Sequence, residues 1–154
     1  MRRLSCWIWP KCCIRQTEQN ERFIRLEASY ELAVIVGLGI DIIEIERIRE
    51  AMKNPRFLER VLTPAEREFC TTPQRVAGRW AAKEAVAKAV GLDLSWQDVE
   101  ILPDEVGQPC ARIASRHLDP SRLKLKVSIS HERNNAVAVA ILERISLHAP
   151  GSLI

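Results

Sequence analysis

The sequence specifies an α+β domain in which helices pack on a small, mainly antiparallel sheet. Three stretches point there. "LAVIVGLGIDII" is a continuous apolar run rich in β-branched residues, the pattern of a buried strand. "GRWAAKEAVAKAVG" is an alanine-rich helical stretch that closes on Gly91, the residue suited to a left-handed cap. "LKLKVSISH" alternates: Leu123, Leu125, Val127 and Ile129 share one face, and Lys124, Lys126, Ser128 and Ser130 share the other.

The elements follow in order. The first strand ends near Asp41. "IEIERIREAMKN" then sets Ile45, Ile48 and Met52 at helical spacing with charges between them, and Asn54 with Pro55 ends that helix. Thr63, Pro64 and Glu66 form an N-cap, a first helical position and a capping box, so a short helix begins at Pro64. The alanine-rich helix runs from about Arg75 or Arg79 to Val90. "VEIL" and "ARIA" are short strands joined by the turn "PDEVGQP". "ERNN" turns "LKLKVSISH" back into "AVAVAIL", which makes a hairpin. The order is β-α-α-α-β-β-β-β.

A chain of 154 residues fits one domain. Its 47% hydrophobic and 28% charged residues are globular values and exclude disorder throughout. No run approaches the roughly 18 apolar residues of a membrane helix. The net charge of +3 suits an acidic partner or a phosphate-rich ligand. It does not argue for nucleic acid, and no basic-aromatic interleaving suggests base stacking. The five cysteines include no C-x-x-C pair. They indicate neither a zinc site nor a disulfide framework, but reduced thiols in a cytoplasm.

Residues 1–32 differ from the rest, mixing Trp, Cys, Arg and Pro without a lasting period. Pro10 and Lys11 cut the apolar part too short for a secretory segment. The absence of acid before Glu18 leaves a transit peptide open, and the Glu residues that follow argue against a long one. The stretch reads as a loosely ordered extension or an upstream start that the native protein does not use. The domain proper is expected over 33–146, with a tail at 147–154.

Several polar residues invite two readings each. "GLGID" lacks the dinucleotide fingerprint, because Ile42 stands where its last glycine is required. Asp41 is then either the N-cap of a helix starting near Ile42 or a functional carboxylate beside glycines that admit a close approach. Glu84 and Lys88 are either an i,i+4 surface pair worth about 0.3–0.5 kcal/mol or part of a site. Ala81, Ala82, Ala85, Ala87 and Ala89 leave the helix slim, so another element can pack close, and a carboxylate at such an interface needs a cation or a metal. His131 ends the apolar face of its strand, as a satisfied structural residue or as a donor to a phosphate or carbonyl. Arg47, Arg49, Lys53, Arg56 and Arg60 alternate with Glu44, Glu46, Glu50 and Glu59, as a solvated mixed-charge face or as a docking surface for an acidic protein.

Three blocks in order, "GLGIDIIEIERI", "GRWAAKEAVAKAVG" and "VSISHERNNAVAVAIL", resemble the holo-acyl-carrier-protein synthase family, the short single-domain 4′-phosphopantetheinyl transferases. The resemblance runs from about Val34 to about Leu142. It implies the 4′-phosphopantetheinyl transferase-like fold and transfer of the phosphopantetheine arm of coenzyme A to a serine of an apo acyl carrier protein, with release of adenosine 3′,5′-bisphosphate and a need for Mg²⁺. It further implies Asp41 and Glu84 as metal ligands, and catalytic together with Lys88, which reaches the same phosphates. Arg79, Lys83 and His131 would bind the cofactor, Lys83 alternatively lying at a subunit contact. Arg47, with Arg56, would dock the carrier protein, and a homotrimer with interfacial active sites is implied. Glu84, Asp41 and a metal-bound water all stay open as acceptor of the serine proton. Two departures are visible. "LDLSWQD" follows Gly91 where the family carries a Gly/Thr-rich loop, and Glu132 follows His131. They motivate the alternative, a non-catalytic oligomer that keeps the fold and binds a carrier protein or nucleotide.

Overall fold

The computed structural model describes residues 32–114 and 122–146. The tail at 147–154 and the extension at 1–32, apart from Leu32, lie outside the described residues. The elements are β1 (Leu32–Glu44), α1 (Ile45–Ala51), α2 (Pro55–Val61), α3 (Pro64–Phe69), α4 (Pro73–Val90), β2 (Val99–Pro103), β3 (Pro109–Ile113), β4 (Leu123–His131) and β5 (Asn135–Ser146). Two antiparallel sheets form, one in the order β1-β5-β4 and one pairing β2 with β3. The α+β architecture is the one the pattern specified.

The larger sheet has one face for α4. Beyond an irregularity at Val36, Gly39 and Ile43 are buried and turn toward the helix, while Leu38, Ile40 and Ile42 point away and stay exposed. Ala136, Ala138, Ala140 and Leu142 of β5 complete the inner face. Small residues meet small residues there. A Cβ at Gly37 would collide with the carbonyl oxygen of Ala89, and one at Gly39 with that of Ala85. The strand can lie against the helix backbone only because both glycines lack that atom. Ile45, Ile48, Phe57, Val61, Val99 and Ile101 add the bulk of the core.

Local signals explain most boundaries. The capping box at α3 forms in both directions, with Glu66 N donating to Thr63 Oγ1 (3.3 Å) and Thr63 N donating to Glu66 Oε2 (2.8 Å). Gly91 closes α4 at φ 70°, in the left-handed region.

Three differences appear. β1 continues through Asp41 to Glu44, so Asp41 lies within a strand opposite Ala138. It is not the N-cap of α1; that place falls to Glu44. The helix α2 was not anticipated. Asn54 caps it by accepting from Arg56 N at 3.0 Å, but its 7 residues are too few to display a period. α4 starts earlier than expected, where Thr72 accepts from Arg75 N (3.4 Å) and Pro73 takes the first turn.

Candidate active site

The glycine-alanine contact sets the site. Gly37 lies beside Ala89 and Gly39 beside Ala85, so β1 runs antiparallel to α4. Two more residues along β1 carry Asp41 toward the turn that holds Ala81 and Glu84. Helix side chains lean toward the N-terminus, which brings the Lys88 ammonium back to that level. Lys88 Nζ donates to Asp41 Oδ1 at 2.7 Å and to the Ile40 carbonyl at 3.0 Å. The pair is half exposed on the lysine side, so its stabilising effect is small.

Glu84 is half-buried one turn before Lys88. The i,i+4 pair does not form, because Lys88 is engaged by Asp41. Among the described residues Glu84 has no hydrogen-bond or ion-pair partner. A half-buried carboxylate without a partner can accept a cation.

Lys83, expected to bind cofactor, is placed elsewhere. It is 2% exposed, and its three donors reach Glu66 Oε2 (2.7 Å), the Val61 carbonyl (2.8 Å) and the Trp96 carbonyl (2.7 Å). An ammonium has three donors and no more, so none remains for a phosphate. The assignment is corrected: one residue before Glu84 means about 100° around the helix, and that rotation turns Lys83 into the core. Burial pushes the Lys83 ammonium below its usual value, and the Glu66 carboxylate opposes that push. Replacing Lys83 by Met would leave the Glu66 charge buried and unpaired. We expect a loss of about 3–5 kcal/mol in denaturant unfolding; an unchanged midpoint would contradict the buried pair.

Arg79 lies one turn before Lys83, on the same side of α4. Its Nε is shielded from solvent and has no hydrogen-bond partner among the described residues. His131 ends β4, exposed, in the cross-strand row Ile43, Ala136, His131. Two strand spacings, about 10 Å, separate it from β1, so the structure does not bring it to Asp41. Glu132 beside it accepts from the backbone N–H of Arg133, Asn134 and Asn135 at 2.7, 2.9 and 2.8 Å. These bonds, led by that of Asn134, hold its carboxyl below the usual range. Its charge is thereby engaged in fixing the turn.

The basic residues of α1 and α2 divide into two groups. Arg49 pairs with Glu46 (3.0 Å) and Lys53 with Glu50 (2.6 Å). Arg47, Arg56 and Arg60 make no ion pair among the described residues. All three line a cleft of about 610 Å³ whose other walls include Ile43, Ile48, Phe57 and Trp80. Phe57 stacks on Trp80 at 5.8 Å between centroids, and Trp80 meets Trp96 at 4.2 Å. Trp80 is one turn before Glu84 on the same helical face. Sequence reasoning missed this aromatic wall; the i, i+4 spacing of Trp80, Glu84 and Lys88 was its available signal. The stretch after Gly91 is also firmly tied: Trp96 packs on Trp80, and Gln97 Nε2 donates to the carbonyls of Glu59, Arg60 and Leu62.

No group of three or more His, Cys, Asp or Glu suited to a metal occurs among the described residues. Asp41 and Glu84 together fit the sparser demand of Mg²⁺, which takes one or two carboxylates and completes its shell with phosphate and water.

A slim helix laid on a glycine strand brings Asp41 and Lys88 together at the crossing. The chain belongs to the 4′-phosphopantetheinyl transferase superfamily, whose profile matches residues 37–141, and within it to the holo-acyl-carrier-protein synthases. The holo-[acyl-carrier-protein] synthase of an Exiguobacterium species is 46% identical over 125 residues, covering 75% of this chain and 98% of that protein. That of Halalkalibacterium halodurans is 45% identical over 124 residues, covering 73% and 99%. A crystal structure of a holo-(acyl-carrier-protein) synthase from Bacillus anthracis in complex with CoA (3′,5′-ADP) superposes with TM-score 0.63 at 38% identity, covering 71% and 97%. The activity is that of the family, phosphopantetheine transfer to an apo acyl carrier protein.

Proposed function

We propose that the chain binds coenzyme A and Mg²⁺ at the crossing of β1 and α4 and moves the 4′-phosphopantetheine arm to a serine of its carrier protein, releasing adenosine 3′,5′-bisphosphate. The observation that carries this is the 2.7 Å contact of Lys88 with Asp41 beside the unpartnered Glu84. The Bacillus anthracis relative, described in complex with CoA, supports the choice of co-substrate. Asp41 and Glu84 would hold Mg²⁺, which when bound neutralises charge on the pyrophosphate. Lys88 adds a positive charge at the same place. The serine oxygen forms the new bond to phosphorus, the bond from phosphorus to the bisphosphate oxygen breaks, and the serine loses its proton. Lys88 already engages Asp41, so we assign the proton to Glu84.

The cleft bearing Arg47, Arg56 and Arg60 suits an acidic carrier protein by charge, and Trp80 in its wall is one helical turn from Glu84. His131 and Arg79 are assigned to coenzyme A. The transferase domain is taken as 33–146, with an extension before it and a tail after it. No helix among the described residues is long and apolar enough to cross a membrane, and we assign a cytoplasmic location. Incubating the protein with Mg²⁺, coenzyme A and an apo carrier protein should add the mass of one arm to the carrier. Folded protein that adds none would refute the proposal.

Self-association has its own support. Leu38 and Ile40 are 66% and 60% exposed on the outer sheet face, next to Val139 and Ile141 of β5. An apolar strip of this kind on a sheet marks an interface, and we assign it to a homotrimer. Ile40→Asp should convert the trimer to monomer in light scattering; an unchanged mass would remove the strip from the interface.

A further inference from the structure

A buried polar node lies behind α4. Glu66 is fully buried. Its Oε2 meets Lys83 Nζ at 2.7 Å and accepts from Thr63 N at 2.8 Å, and its Oε1 accepts from Ile101 N at 2.8 Å. Lys83 in turn donates to the carbonyls of Val61 and Trp96. One residue of α4 is thus tied to the end of α2, the start of α3, strand β2 and the segment before it.

On the side facing β1, Ala85 and Ala89 lie on Gly39 and Gly37, a contact without interlocking side chains, and the half-exposed Lys88 supplies the polar tie to Asp41 and the Ile40 carbonyl. Such a surface permits the helix to come close but does little to resist rotation about its axis. A carboxylate about 5–6 Å from the axis moves about 1 Å for a rotation of about 10°. An error of that size at a reacting group costs about 100-fold in rate.

We propose that Glu66 is a positioning residue for the transfer: by anchoring Lys83 it fixes the rotation of α4, and with it the place of Glu84. The inference rests on the reading of Glu84 given above.

The test is a cycle of four proteins: wild type, Glu84→Gln, the pair Glu66→Gln with Lys83→Met, and their combination. The paired change leaves no unpaired charge in the core. Its kcat should fall about 10- to 100-fold, with KM for coenzyme A little changed. In the Glu84→Gln background it should lower kcat no further, since residues acting through one another are non-additive. Ile45→Ala, a core change in α1 away from the node, gives the effect of lost stability alone. Lys83→Arg keeps both charges but demands more room, and is the second variant should the pair fail to fold; it should lower kcat in the same direction. A paired variant whose kcat matches Ile45→Ala overturns the proposal and leaves the reading of Glu84 intact, as does an additive cycle. A Glu84→Gln protein with undiminished kcat overturns that reading, and the positioning role falls with it.

Discussion

Glu84→Gln should lower the transfer rate about 10²- to 10³-fold, the range found when one preorganised electrostatic group is removed. The change is nearly isosteric. Because Glu84 has no partner among the described residues, its neutralisation breaks no ion pair and strands no charge. Stability should therefore stay within about 0.5 kcal/mol of the parent. This combination separates Glu84 from its neighbour Lys83, whose loss alone should cost about 3–5 kcal/mol of stability. Steady-state transfer assays paired with thermal melts read both quantities. A variant that transfers at the parental rate would remove Glu84 from the chemistry.

Gly39→Ala should damage stability and activity together. The added Cβ meets the Ala85 carbonyl oxygen, a backbone atom that moves only if the helix moves. Overpacking of this kind costs about 1–3 kcal/mol, occasionally more. The contact lies one residue from Ile40, whose carbonyl holds Lys88, and two from Asp41. Displacing α4 from β1 draws Lys88 from Asp41, so transfer should fall as well. A Gly39→Ala protein with parental melting and parental rate would show that the close approach is dispensable.

Much of the fold was legible because alternation and capping are local. "LKLKVSISH" fixed which side chains of β4 face the core, and Thr63 with Glu66 marked the start of α3. The strand β1 was visible as an apolar run, but its end was not. Ile42 and Ile43 fit a helix start as readily as two more strand positions, and only pairing with Val137 and Ala136 decides for the strand. The candidate site was legible as a set of residues more than as a geometry. Asp41, Glu84 and Lys88 stood out in the family-like blocks, yet the partner of Lys88 is 47 positions away and no spacing rule reaches that far. Lys83 went astray for the opposite reason. The family-like motif suggested a cofactor role or a subunit contact for it, while the turn of the helix gives Lys83 surroundings different from those of Glu84. Glu66 was recognised for its cap alone, since its bonds to Ile101 and Lys83 depend on packing between elements.

The ring stack of Phe57, Trp80 and Trp96 has a practical consequence. Trp80 lines the cleft while touching the indole of Trp96 at 4.2 Å. Anything that fills the cleft alters the surroundings of a chromophore already paired with another. Near-ultraviolet dichroism of the unlabelled protein thus offers an optical signal for occupancy of the cleft, independent of catalytic turnover.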